Sequence, residues 1–274
     1  MDTTQFNWAE QLSPKLLKSP WWIGHIPFAF ELIGRQRPAT IVELGTYSGS
    51  SFAAFCQIVA ACGSSTKCYG IDLWEGDIHM GKFDETLFRE ISSYISINYS
   101  NIGVLIRKDF NEAANSFADG SVDLLHIDGT HTFEAVSNDF NTWLPKLSDS
   151  AVVLFHDVNV NMENTGPASE KFGVRKFFDG IKKSYPHFEF AHCWGLGVLL
   201  VGSKVTPAVS ALFEMASDAG FQTYFARKGA IVSKQFDNMA IGVPKHAPYD
   251  STVAPLPVWR RAVRKFQRIV ARMR

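Results

Sequence analysis

No run in this 274-residue chain approaches the ~20 apolar residues of a membrane-spanning helix. The amino terminus, Met1-Asp-Thr-Thr-Gln-Phe6, has neither the basic start nor the apolar stretch of a secretion signal. Cysteine is scarce. The four thiols (Cys56, Cys62, Cys68, Cys193) form no C-x-x-C pair, and the first three fall on expected core elements, so they read as structural thiols in a reducing compartment. Net charge is absent too, at 27 basic against 27 acidic residues, but the balance is uneven along the chain. Residues 259–274 hold seven basic residues and no acidic one, leaving 20 basic against 27 acidic elsewhere, and a mildly acidic body argues against a broad nucleic-acid surface. There is no internal repeat. What remains is an expected cytoplasmic globular protein whose 46% hydrophobic content suits one sizeable α/β domain, alone or with an appendage.

From about Trp21 onward, apolar runs alternate with amphipathic segments, the pattern of βα units around a mostly parallel sheet. Strands are expected over residues 40–44, 67–73, 103–108, 122–128, 151–157, 188–192 and 197–202. Helices are expected near 50–61, 84–94, 111–118, 132–143 and 173–183, with another near 207–219. Only Cys193-Trp-Gly-Leu196 joins the last two strands, too short for a crossover helix, so they should pair antiparallel. The Gly- and Pro-bearing stretch 227–257 reads as a long loop or partner-facing extension, followed by a final helix.

Two of the apolar runs, Val122-Asp-Leu-Leu-His-Ile-Asp128 and Ala151-Val-Val-Leu-Phe-His-Asp157, each finish on an acid beside histidine. Ligands of parallel sheets bind outside the carboxyl ends of the strands, so Asp128, His131, His156 and Asp157 should converge there. Such a group can bind a metal, accept a proton, or both. An imidazole at His156 would tilt a metal site toward a transition ion; alternatively, His156 is a histidine that hydrogen-bonds a carboxylate. His126, inside an apolar strand, reads as a core histidine.

Upstream, Ile41-Val-Glu-Leu-Gly-Thr-Tyr-Ser-Gly-Ser-Ser51 is a strand running into a glycine turn and a helix. Gly45 and Gly49 allow close backbone approach to a ligand at a helix N-terminus. The lysine of a phosphate loop is missing, and the glycine spacing differs from the dinucleotide fingerprint, which disfavours a nicotinamide oxidoreductase. Glu43 before the first glycine would repel pyrophosphate but suits an amine-bearing ligand. Asp72 ends the next strand, where a carboxylate can take both hydroxyls of a ribose, and Asp109 with Phe110 ends the third, placed for an adenine. The alternative for Asp72 and Asp109 is that they merely cap strand ends.

On these residues the chain resembles the class I S-adenosylmethionine-dependent methyltransferases. More narrowly, it resembles a subgroup often found near polysaccharide biosynthesis that carries E-L-G-x-x-x-G-x-S, D-x-W-x-G-D, H-I-D-G-x-H-x-[FY]-E and F-H-D-V. These stand at residues 43–51, 72–77, 126–134 and 155–158, and the likeness covers about 21–202. It implies a Rossmann-like fold with a seven-stranded, mostly parallel sheet ending in an antiparallel hairpin. It also implies that Glu43, Gly45, Ser48 and Gly49 line the methionine end of the cofactor, Asp72 its ribose and Asp109 with Phe110 its adenine, with Asp128 at the edge. Metal-dependent relatives place acids where Asp128 and Asp157 stand, so the expected ligands of a divalent ion, Mg²⁺ foremost, are Asp128, Asp157 and His156. Relatives acting on macrolide sugars place a general base at the position of His131. Its alternative is a residue stabilising a helix N-terminus.

The expected activity is therefore metal-assisted, in-line methyl transfer to a hydroxyl of a sugar in a polysaccharide, glycolipid or glycosylated metabolite. The alternatives are a metal-independent methyltransferase and a non-catalytic partner subunit of a glycosyltransferase. Around the core (21–203) the chain divides into an N-terminal cap segment (1–20) and a C-terminal extension (204–274). Trp21, Trp22 and His25 either pack or cover an acceptor pocket, and Trp74, Asp77 and His79 form either a substrate contact or an ordered lid turn. Residues 259–273 place apolar groups at helical spacing with basic residues opposite, a cationic amphipathic helix for peripheral contact with an anionic inner-membrane surface or for homo-oligomer packing.

Overall fold

In the computed structural model, which describes residues 6–77, 80–162 and 166–241, helices α1 (Asn7–Gln11) and α2 (Ile26–Gln36) precede the first strand. Then follow β1 (Thr40–Leu44), α3 (Ser50–Cys62), β2 (Lys67–Asp72), the small hairpin strands β3 (Gly76–Asp77) and β4 (Gly81–Lys82), α4 (Glu85–Tyr99), β5 (Gly103–Arg107) and α5 (Phe110–Ala114). The second half holds β6 (Val122–Ile127), α6 (Phe133–Trp143), β7 (Leu147–His156), α7 (Val174–Ile181), β8 (His187–Phe190), β9 (Leu196–Leu200), α8 (Pro207–Met215) and α9 (Ala219–Ile241). Seven strands form one sheet in the order β5-β2-β1-β6-β7-β9-β8. The first five run parallel, and β9 pairs antiparallel with both β7 and β8, the Rossmann-like arrangement with a terminal hairpin expected from the sequence.

Side chains alternate between the sheet's two faces, and each face has its own core. Ile41, Leu124, Val152, Leu154 and Val198 pack with α2, α3 and α9, while Val42, Leu125, Val153 and Leu199 pack with α6 and α7. Burial on both faces explains why these strands read as unbroken apolar runs. Local signals set the helix ends. Gly49 (φ 79°) and Gly63 (φ 60°) bracket α3, and Asp84, Asp109, Thr132 and Thr206 each accept a backbone N–H at the start of a helix.

The C-terminal region corrects the sequence reading. Residues 227–241, expected to be loop, continue α9, and the helix expected over 207–219 is two helices broken between Met215 and Ala219. Phe221, Phe225 and Val232 are buried on α9, and Gly229 within it faces the main chain of Gly24, where an added Cβ would lie 2.2 Å from the carbonyl oxygen. That glycine is a close-approach point between backbones rather than a turn. The basic segment 259–274 and His79 lie outside the described residues.

Candidate active site

The strands β6 and β7 end side by side, and the chain beyond each turns so that its acid faces the other's histidine. Asp128 follows β6, its N–H bonded to the Leu44 carbonyl (2.9 Å), which ties it to the end of β1. Asp157 follows β7 in the left-handed region (φ 62°), a conformation a non-glycine residue keeps only when its surroundings impose it. His131 Nε2 lies 2.9 Å from Asp157 Oδ2 and 3.4 Å from Asp128 Oδ1, and its ring stacks on Phe172 at 5.0 Å. One ligand atom each from Asp128, His131 and Asp157 falls within 4.8 Å of the others.

His156, expected among the metal ligands, is engaged differently. Its Nδ1 faces Asp128 Oδ1 at 3.1 Å and its Nε2 faces the Cys193 carbonyl at 3.0 Å, so both nitrogens point at oxygens that only accept. Both ring nitrogens are thus engaged by oxygens, and His156 stands outside the three-residue cluster. Its side chain is 3% exposed. Burial would strip its charge, but Asp157 and Asp128 prevail and hold it well above the ordinary histidine range. Burial opposes the charge of His131 in the same way, and the two carboxylates raise it to about 10. For Asp128 burial pulls upward, yet the His156 charge and the hydrogen bonds from His131 and His156 outweigh it and hold the carboxyl well below the usual range. Two carboxylates and two imidazoliums thus compensate one another.

The glycine turn lies against this group. At Gly45 (φ 91°) an added Cβ would sit 2.1 Å from the Asp128 carbonyl oxygen, so main chain touches main chain between the turn and the acid. Gly49 has no such room either, since a Cβ there would stand 2.1 Å from Ile91 Cδ1. Ser48 is buried, and Ser50 Oγ accepts the N–H of Lys18 and Ser19. Glu43 is fully buried below the turn with Oε1 3.1 Å from His126 Nδ1, which makes His126 a paired core histidine. Asp72 spans two turns: its Oδ2 accepts the Tyr47 N–H (2.9 Å) and its Oδ1 the Trp74 N–H (2.7 Å). Both Tyr47 (φ 45°) and Trp74 (φ 53°) are left-handed, so one carboxylate clasps two strained positions. Trp74 is buried against Phe88. Asp109 Oδ1 caps α5 through Asn111 N (2.8 Å), and Phe110 covers Gly129, where a Cβ would lie 2.6 Å from the ring.

Sequence reasoning missed Cys193 as a functional position because its contribution is a carbonyl, which every residue has. It noted Phe172 only within Phe172-Gly-Val174, which fits the family pattern, without giving it a role, and it missed Asp139, buried behind Gly129 on α6.

Residues 42–158, from the glycine turn to just beyond Asp157, match a family model described as a methyltransferase domain. An uncharacterized protein of Sinorhizobium fredii is 38% identical over 197 residues, 72% of this chain, and this chain spans 21% of that relative's length. The fold is similar to that of the Podospora anserina methyltransferase PaMTH1 bound to SAH (TM-score 0.50, 13% identity, 72% of this chain and 86% of that one). It is similar also to the O-methyltransferase TomG of Streptomyces achromogenes in complex with SAM, which is involved in tomaymycin synthesis (TM-score 0.50, 14% identity, 74% and 91%). The glycine turn and both acid-bearing strand ends lie inside the residues that match the methyltransferase-domain model.

Proposed function

We propose that this chain is an S-adenosylmethionine-dependent O-methyltransferase acting on a hydroxyl of a sugar in a polysaccharide, glycolipid or glycosylated metabolite. The observation that carries this reading is the direct contact between the Gly45 turn and Asp128, with His131 and Asp157 alongside. A donor held over the turn has its reactive end beside groups suited to an acceptor hydroxyl. Methyl transfer from a sulfonium is an in-line displacement, so the enzyme chiefly aligns the acceptor oxygen and disposes of its proton. Glu43 at the end of β1 below the turn and Ser48 on it suit an amine and carboxylate, Asp72 a ribose diol, and Phe110 the face of a base.

Asp128, Asp157 and His131 fit a divalent cation by donor type and spacing, two carboxylates and an imidazole within 4.8 Å, whereas His156 does not. A bound cation would lower the pKa of the acceptor hydroxyl. His131 depends on the charge beside it. With both carboxylates facing it, the ring keeps its proton up to about pH 10 and orients a hydroxyl rather than deprotonating it. A cation held by the two carboxylates alone would spend that attraction and return His131 toward the range where it accepts a proton, whereas a cation that also took His131 Nε2 would leave it no such role. A metal-independent reading is favoured by a separate observation, the mutual compensation of two acids by His131 and His156.

Calorimetry with S-adenosylhomocysteine tests the first step, and absence of binding heat would sink the enzyme reading altogether. Methyl transfer to glycan acceptors measured with and without chelator then separates the two mechanisms. Under the cation-assisted one, chelation abolishes turnover at pH 7 and Mg²⁺ or a transition ion restores it. Asp128→Ala should lower kcat by about 10²–10⁴-fold. Full turnover in that variant would overturn the assignment.

A further inference from the structure

A buried side chain that the mechanism leaves unused is His25, at the end of the 3₁₀ turn Ile23–His25 before α2. It is wholly buried, and its Nε2 lies 3.1 Å from the Cys193 carbonyl, the same oxygen that His156 Nε2 approaches at 3.0 Å. A carbonyl has two lone pairs, and here both are taken by imidazole N–H groups. The two rings lie 5.7 Å apart at 76°. We propose that His25 is a positioning residue for methyl transfer: by sharing the Cys193 carbonyl it fixes where His156 can point, and so sets His156 Nδ1 on Asp128.

Three observations support it besides the distances. The first is the backbone of the β8–β9 turn. Cys193 (φ 50°) and Trp194 (φ 62°) are consecutive non-glycine residues in the left-handed region, followed by Gly195 (φ 91°). Strain of that kind persists only where neighbouring contacts impose it. Those contacts are present: Cys193 Sγ donates to the Trp21 carbonyl (2.9 Å), His192 Nε2 to the Gly24 carbonyl (3.2 Å), and Asn159 N to the Trp194 carbonyl (2.8 Å). Gly24 also leaves no room for a Cβ, which would lie 2.9 Å from Cys193 Cβ. The turn is stitched to the N-terminal segment on one side and to the chain just past Asp157 on the other, and the Cys193 oxygen points inward between them.

The second observation is the state of His25. Its Nδ1 is buried with no partner among the described residues, so its one hydrogen bond fixes the proton on Nε2. Burial, with the nearby His192 and His156, pushes its pKa well below the ordinary range, in keeping with a neutral ring. The third is energetic. An unpartnered buried nitrogen is unfavourable, and a leucine of similar size would remove it, so packing alone does not favour histidine at this place.

The kinetic arm of the test rests on the methyltransferase reading, while the spectroscopic arm does not. His25→Leu removes the donor. His25→Gln keeps an N–H at similar reach, and His25→Asn, one methylene shorter, replaces the leucine variant should that fail to fold. In ¹⁵N-histidine-labelled protein the Nε2–H signal of His156 should be slowly exchanging in wild type and in His25→Gln. In His25→Leu or His25→Asn it should broaden or vanish. With S-adenosylmethionine and a working acceptor, His25→Leu should lower kcat about tenfold or more with KM for the donor within about twofold, and His25→Gln should recover most of the loss. Wild-type-like His156 signals in His25→Leu would overturn the positioning role, whether or not the protein transfers methyl groups. Equal kcat losses in the leucine and glutamine variants would overturn it as well.

Discussion

Among individual residues, two buried carboxyls away from the acid cluster make separable predictions. Asp139 is 5% exposed on α6, and burial, helped by Asp109 and opposed by Asn138, raises its pKa to about 7. In the unfolded chain it titrates near 3.8. Between those values the folded protein holds a proton that the unfolded one has lost. Its contribution is therefore fully present below pH ~4 and is lost as pH rises through about 7, by up to about 4 kcal/mol. Asp139→Asn should flatten this part of the profile: denaturation midpoints at pH 5 and pH 8 should lie closer together than in wild type, with the variant ahead at pH 8. An unchanged gap would place the proton elsewhere. Glu43 and His126 form a fully buried pair at 3.1 Å. Glu43→Ala strands the imidazole N–H and should cost about 3 kcal/mol, whereas Glu43→Gln keeps an acceptor and should cost less. Calorimetric Tm values rank the two, and the reverse order would mean the pair does not hold a hydrogen bond worth keeping.

Elements differ in how openly their sequences declare them, and α9 shows why. Its Gly229 reads as a breaker, yet it meets Gly24 main chain, with a Cβ 2.2 Å from the carbonyl oxygen. Gly229→Ala sets two effects against each other, a helix-propensity gain of about 1 kcal/mol and a collision with backbone that cannot rotate away. The collision should win, lowering Tm, and a raised Tm would show that the α9 contact yields easily. Helix α2 was illegible for another reason: every residue except Arg35 is buried, so no polar stripe betrays its period. The strands β1, β6 and β7 were legible because burial on both faces writes them as apolar runs. The candidate site divides similarly. Asp128, Asp157 and His131 were readable from where the strands had to end. The engagement of His156 was not, because its partner is the main chain of Cys193, and the fixed acceptor comes from a strained turn whose sequence, Cys193-Trp-Gly, announces only that the chain reverses.

At the scale of the molecule, the first and last described helices meet over one face of the sheet and brace the side of the site that the sheet leaves open. Phe6 packs against Phe221 and Phe225 at 5.8 and 5.0 Å, Phe28 and Phe190 complete the cluster, and Glu10 takes the Tyr224 hydroxyl (2.6 Å) and the Lys228 ammonium (2.9 Å). The ion pair is worth little by itself, being partly exposed. The rings matter more. Phe221 and Phe225 are fully buried, each contributing about 1.5–3 kcal/mol, and removing α9 would also expose the faces of Phe6, Phe28 and Phe190 that they cover. The sum, on the order of 10 kcal/mol, is comparable to the whole stability of a typical domain. A chain ending at Asp218 should therefore fail to show cooperative thermal unfolding, and it should fail to bind S-adenosylhomocysteine although residues 42–158 remain intact. The binding failure follows because α9 holds Gly24, and Gly24 adjoins the Cys193 turn on which His156 rests. If instead the shortened chain melted cooperatively near the wild-type temperature and bound the ligand, α9 would be an appendage to a self-sufficient core, and the brace would have no part in forming the site.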